Sequence, residues 1–264
     1  MSGAGGIQQG PVQFVPAKSI KEAEVWARKN VAEQVSYKNV KDINLVNEVN
    51  ATLDDLIVKR GKTKLETLIF ETEGISVQSG SNAQAVGNQI FINAKFSGSV
   101  ESLAKSQVSR KIRIDALNVK IKERLSLGFD AKTDRRLARY LNSIEEIKME
   151  NVDAYIMKGE RYSARDLITH EYGHVSDSNV IKKLVEGIDP YDITAQQDAI
   201  RDYNNWKSKV FSSPKTKGNK LSYYATENRE EFLAEAFNAY HTDKINLLTP
   251  EIKEFIEYTI KTSK

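Results

Sequence analysis

Two of the three histidines in this chain stand four residues apart, in the sequence His170-Glu171-Tyr172-Gly173-His174. On an α-helix, which advances about 100° per residue, such positions share one face, so both imidazoles can reach a single metal ion. Glu171 lies beside that face and can hold a water molecule at the metal without binding the metal itself. A chain with only three histidines rarely produces this pattern by chance, which makes it a candidate metal site.

A metal ion bound by two histidines needs at least one further ligand, and the best candidates lie near the end of the chain. The chain has no cysteine, and no third histidine follows His174 at the spacing of the metzincin pattern, so a carboxylate is required. Glu231 is the preferred candidate, with Glu235 one helical turn beyond it as its support, and Glu230 is the alternative. Asn228 and Glu231 also form a helix-start signal, so Glu231 could instead be the partner of a cap.

Two histidines, a carboxylate and a neighbouring glutamate are the groups of a hydrolytic zinc site, and Zn²⁺ is the expected cofactor. Zinc lowers the pKa of a bound water to around 7, and Glu171 would accept its proton as general base during attack on a carbonyl carbon. Tyr223 or Tyr224 could stabilise the oxyanion, although spacing is equally compatible with a core role for either. A zinc ion that only stabilises the fold is the other interpretation, and it would favour four protein ligands.

The elements that must position these residues follow from apolar periodicity and helix caps, which predict an α+β fold. It has a small β-sheet with long helices, an active-site helix and a helical C-terminal lobe. Residues 1–16 are expected to be a flexible segment and residues 17–264 one domain, with lobes at about 17–177 and 178–264. The predicted strands are 65–71, 74–78 and 88–93, and the predicted helices are 19–30, 42–59, 100–127, 131–148, one from Ser163, 195–210, 228–240 and 250–261.

Composition excludes several classes of protein. The 39 basic and 36 acidic residues are too balanced to indicate a nucleic-acid binder, so nucleic acid is not an expected partner. The most basic stretch, Lys105 to Arg139, is interpreted as a solvated helix face, with a surface for phosphates or acids as the alternative. Apolar runs fall far short of the roughly 20 residues that cross a bilayer, and the N-terminus lacks the features of a secretion signal. We therefore expect a soluble protein with no membrane partner.

The motif at 170–174 and the segment Ser222–Phe237, which reads SYYATENREEFLAEAF, together resemble the catalytic domain of anthrax lethal factor and its relatives. The resemblance implies a zincin-like fold in which Glu231 is the third zinc ligand and Glu235 orients a ligand histidine. It places the oxyanion tyrosine on Tyr224 by counting back from Glu231, or on Tyr223, which directly follows Ser222. It also implies that an extended peptide adds to the strand at 88–93 by β-augmentation.

Two further segments, Phe14–Glu24 and Val35–Leu56, are similar to the C-terminal region of some phage minor head proteins. This similarity implies a phage- or mobile-element-borne effector that is carried by the virion or delivered into a target cell, and otherwise cytoplasmic. It adds phage virion proteins to the protein or peptide substrate as expected partners.

The function expected from these features is that of a zinc-dependent endopeptidase. One alternative is a non-enzymatic virion or head component that keeps the metalloprotease fold, and another is a capsid protein that contacts DNA through residues 105–139. The presence of Glu171 and Tyr224 favours the enzyme, because a purely structural relative needs neither.

Overall fold

The computed structural model of the chain describes residues 14–105, 110–149, 163–222, 224–242 and 244–263. The strands are β1 (Ala32–Ser36), β2 (Leu65–Glu71), β3 (Ala83–Val86) and β4 (Gln89–Asn93). The helices are α1 (Ile20–Asn30), α2 (Ile43–Leu53), α3 (Ile75–Ser79), α4 (Ala94–Ser97), α5 (Val100–Lys105), α6 (Arg110–Ser126), α7 (Arg135–Met149), α8 (Ala164–Leu184), α9 (Ile193–Val210), α10 (Pro214–Lys217), α11 (Arg229–His241) and α12 (Pro250–Thr262). A π-helical turn (Asp54–Val58) extends α2, and 3-10 turns span Gly218–Lys220, Tyr224–Thr226 and Ile245–Leu247.

The four strands form one small mixed sheet in the order β1-β2-β4-β3, which confirms the expected α+β class. β1, β2 and β4 are parallel, and β3 runs antiparallel to β4. The segment predicted at 88–93 is therefore an inner strand whose two sides already pair with β2 and β3. The expectation that a peptide adds along it is wrong, because it has no open edge, and the edge at that side of the sheet belongs to β3.

Several short elements differ from their predictions. Residues 74–78, predicted as a strand, begin the five-residue helix α3, which ends at Gly80 in the left-handed conformation. β1 and β3 were not predicted, because four or five residues without clear alternation give little signal. The predicted helix 100–127 is represented by α5 and α6, and residues 106–109 between them lie outside the described part of the chain.

The helix α8 is the central element of the fold. It begins with the predicted cap: the Ser163 side chain accepts from the Asp166 N–H, and the Asp166 carboxylate accepts from the Ser163 N–H. The apolar stripe expected along the helix is buried throughout, at Ala164, Ile168, Tyr172 and Val175. α8 packs against α2, α11, α12 and β3, so it connects the sheet to the C-terminal helices.

Apolar side chains from Ala23 to Ile256 form one continuous core that includes the sheet, α8 and α11. The division into two lobes stays a prediction. At the start of the chain, Phe14 packs edge-on against Trp26, and residues 1–13 lie outside the described ranges. Among the described residues, no helix combines the length and the apolar character needed to cross a membrane.

The basic stretch at 105–139 falls mainly on α6 and the start of α7, which pack against each other. Their contact has its own small cluster, formed by Ile121, Leu137 and Ile144, separate from the main core. The turn between them is fixed by Arg124, which contacts the ring of Phe129 and pairs with Asp134. The basic residues of this stretch therefore lie mainly on a separate helical hairpin, formed by α6 and α7.

Candidate metal site

The two histidines of α8 meet a carboxylate of α11. His170 Nε2 lies 3.1 Å from Glu231 Oε2, and His174 Nε2 lies 3.4 Å from the same oxygen. Ligand atoms from the three side chains all lie within 4.8 Å of one another, so the group could hold a metal ion. The structure thus brings together residues that are 61 positions apart in the chain.

The position of Glu231 distinguishes between the two roles considered for it, metal ligand and partner of the Asn228 cap, and between Glu231 and Glu230 as the third member of the site. Asn228 does cap α11, since its side chain accepts from the Glu231 N–H at 2.9 Å. In a full capping box the Glu231 carboxylate would turn back to the Asn228 N–H, but here it lies at the histidines. Glu230 does not reach them: its side chain is 60% exposed, and its carboxylate lies 4.0 Å from the Lys207 ammonium.

Glu235 orients one of the histidines. His170 Nδ1 donates to Glu235 Oε1 at 2.7 Å, and the Glu235 carboxyl group is fully buried. With Nδ1 turned to the Glu235 carboxylate, Nε2 is the ring nitrogen that faces Glu231, and it can bind a metal ion once it has given up its proton. Glu235 thus lies at the ring nitrogen of His170 that faces away from Glu231.

The charges of these groups favour a cation between them. Burial lowers the pKa of His170, but the carboxylates of Glu231 and Glu235 raise it more, and the net pKa is well above the usual value. Burial raises the pKa of Glu231. The hydrogen bonds from His170 and His174, together with their charges, lower this pKa by more, so the net pKa is far below the usual value. The cluster thus attracts positive charge, which a proton or a metal ion can supply.

Glu171 lies beside the metal ligands without being one of them. Its side chain is nearly buried, and burial raises the pKa of its carboxyl group, while the neighbouring histidines oppose that shift. The backbone N–H of Ala85, on the edge strand β3, lies near enough to this carboxylate to oppose part of that rise in its pKa. A carboxylate with a raised pKa, held beside a metal site, is suited to accept and return a proton.

Tyr224 lies next to the site, at the start of a 3-10 turn. Its ring centroid is 5.5 Å from that of His170. The turn is held by the buried Ser222, whose hydroxyl accepts from the Ala225 N–H at 3.0 Å. The alternative tyrosine, Tyr223, lies outside the described residues, so the choice between the two stays a prediction.

Two features of the site were not predicted. The first is the link from Glu171 to Ala85, which could not be found because β3 itself was not recognised. The second is the role of Gly173, where a Cβ atom would lie 3.1 Å from Ala234 Cα and 3.0 Å from Phe237 Cβ. Glycine at this position allows α8 and α11 to approach closely enough for Glu231 to reach the histidines.

Comparison of the chain with protein-family models, with curated proteins and with solved structures gave no match.

Replacing Gly173 by Ala should weaken both metal binding and folding. In an open helix this substitution stabilises by about 1 kcal/mol through helix propensity, but here the added methyl forces α8 and α11 apart, which costs about 1–3 kcal/mol. Metal titration and chemical denaturation measure the two effects. Lys182→Ala, at a highly exposed position of the same helix, is the control. Higher stability for Gly173→Ala, with unchanged metal affinity, would contradict this role.

Proposed function

We propose that this chain is a zinc-dependent endopeptidase, in which Glu171 is the general base for attack by water on a peptide bond. The observation that carries the proposal is the convergence of His170, His174 and Glu231, with the buried Glu171 beside them. Three ligands with an adjacent unliganded carboxylate are the arrangement of a catalytic zinc site.

Zinc fits this donor set. Bonds of about 2.0–2.1 Å in a tetrahedral site separate neighbouring ligand atoms by roughly 3.3 Å, and the two nitrogen–oxygen distances here are 3.1 and 3.4 Å. Two imidazoles and a carboxylate suit zinc better than calcium or magnesium, which prefer oxygen ligands. Within the described ranges the group has three members, whereas a zinc ion that only stabilises a fold usually has four protein ligands.

The chemistry divides among three side chains. When bound, zinc lowers the pKa of a coordinated water and polarises a carbonyl group. Glu171 accepts the proton of the attacking water and then delivers it to the leaving amine. The phenol of Tyr224 donates to the oxyanion that develops on the carbonyl oxygen. Glu235 holds the His170 ring in its tautomer throughout.

The edge strand β3 supports a peptide as substrate. Asn82 O accepts from Asn93 N–H, and the antiparallel register then directs the backbone of Gln84 and Val86 towards β4. Ala83 and Ala85 therefore present their backbone groups to the opposite side, where the Ala85 N–H meets Glu171. An extended peptide paired with this edge would bring its backbone to the general base, so β3 takes the place that was expected of residues 88–93.

The finer assignments remain part of the proposal. The proposed zincin-like fold and relationship to the lethal factor family rest on the segments at 170–174 and 222–237. The proposed phage-associated branch rests on the segments at 14–24 and 35–56. The proposals that virion proteins are partners, and that the protein is carried by the virion or delivered into a cell, rest on the phage-like segments too. The site would perform the same chemistry in each case.

Glu231→Gln should abolish stoichiometric zinc binding, because it removes a negatively charged ligand. The matched control is Glu230→Gln, the neighbouring exposed glutamate, which loses only a 4.0 Å contact with Lys207 and should still bind zinc stoichiometrically. Elemental mass spectrometry of the two purified variants measures the difference. Zinc retained by Glu231→Gln and lost by Glu230→Gln would show that the ligand has been assigned to the wrong residue.

Glu171→Gln should keep zinc and lose peptidase activity by about 10²–10⁴-fold in kcat, because the amide cannot accept a proton. The assay is cleavage of a peptide library by the zinc-loaded protein. Glu186→Gln, at an exposed position near the end of the same helix, should have no effect. If both zinc-loaded proteins, unaltered and Glu171→Gln, are equally inert, the chain is not a peptidase and the virion-component alternative is favoured.

Tyr224→Phe should lower kcat by about 10²–10³-fold with little change in KM, since one oxyanion donor is lost. Tyr191→Phe is the control, because Tyr191 is 92% exposed. Tyr223→Phe, assayed beside them, separates the two candidate tyrosines. A loss of activity confined to Tyr223→Phe would move the role to that residue.

A further inference from the structure

A buried lysine on α9 connects the two helices that carry the candidate metal ligands. The Lys207 ammonium is 2.7 Å from Asp177 Oδ2 on α8 and 4.0 Å from Glu230 Oε1 on α11. The Tyr203 hydroxyl donates to the other oxygen of Asp177 at 2.6 Å. Both oxygens of Asp177 are thus held by side chains of α9.

These contacts lie close to the metal ligands in the chain. Asp177 follows His174 by three residues, which is about one helical turn, and Glu230 directly precedes Glu231. A second contact links α9 to α11, where the Arg229 guanidinium donates to the Ser208 hydroxyl at 3.1 Å. α9 therefore connects the part of α8 just beyond His174 to the first turn of α11.

The burial of the Lys207–Asp177 pair makes it sensitive to the loss of one partner, whereas the contacts with Glu230 and Arg229 on α11 are exposed. The side chains of Lys207 and Asp177 are only 11% and 14% exposed. Exposed ion pairs contribute little to stability, but a buried charge that loses its partner is strongly unfavourable, and the surrounding helices shift to solvate it. Here such a shift would move His174 relative to Glu231.

We infer that Asp177 and Lys207 are positioning residues of the metal site, which hold His174 and Glu231 at the separation that a metal ion needs. The inference rests on the proposed function only in that the site binds zinc. It assigns a role to a buried pair that the catalytic chemistry does not use. Loss of either member should weaken zinc binding about 10- to 100-fold, as for other groups that support metal ligands.

The test uses Asp177→Asn and Lys207→Met, which keep side-chain volume but break the charge pair. Lys207→Arg keeps the positive charge and should retain most of the zinc affinity. Val180→Ala, a fully buried position of α8, is the matched control that lowers stability without touching the network. The zinc Kd is measured by competition with a chromophoric chelator, at a temperature where circular dichroism shows every variant folded, and stability is measured on the chelator-treated proteins.

The expected result is a raised Kd for Asp177→Asn and Lys207→Met, and an unchanged Kd for Val180→Ala at similar loss of stability. Unchanged zinc affinity in both network variants, with reduced stability alone, would overturn the inference and leave the proposed function intact. Failure of the unaltered chain to bind zinc would overturn both. Zinc binding without peptidase activity would remove the enzymatic proposal alone, because Kd does not depend on catalysis.

Discussion

The close approach of α8 and α11 is the constraint on which the site depends. The helices can touch at this level only because position 173 has no side chain, so that the backbone of Ala234 and the ring of Phe237 fill the space. At this separation one carboxylate reaches both histidines and another, one turn further along α11, reaches the far nitrogen of His170. The ligands can therefore meet only if this packing contact between the two helices is kept.

The site was more predictable from the sequence than the sheet that borders it. The spacing of His170 and His174 requires only a helix, and helical periodicity around them is strong, so their shared face could be inferred directly. Glu231 could be preferred over Glu230 because it shares a helix face with Glu235, but the local pattern left open whether Glu231 is a metal ligand or the partner of the Asn228 cap. The contact at Gly173 could not be anticipated, since it depends on which residues stand opposite in a distant helix.

The sheet shows the limit of reasoning from local pattern. The segments at 65–71 and 88–93 were correctly assigned as strands, but β3 was not, because it is four residues long and pairs antiparallel at the end of an otherwise parallel sheet. Strand order is a long-range property that alternation within a strand does not encode. The edge of the sheet that faces Glu171 was therefore assigned to residues 88–93, whereas it belongs to β3. Residues 88–93 do form a strand, as expected.

The hairpin of α6 and α7 is a packing unit separate from the metal site. Its two helices are held together by a small apolar cluster of their own. In the chain, the hairpin lies between β4 and α8, the helix that carries the histidines. Packing inside the hairpin and packing around the metal ligands draw on different side chains. A substitution in the contact between α6 and α7 therefore leaves the side chains around the metal ligands with their own packing partners.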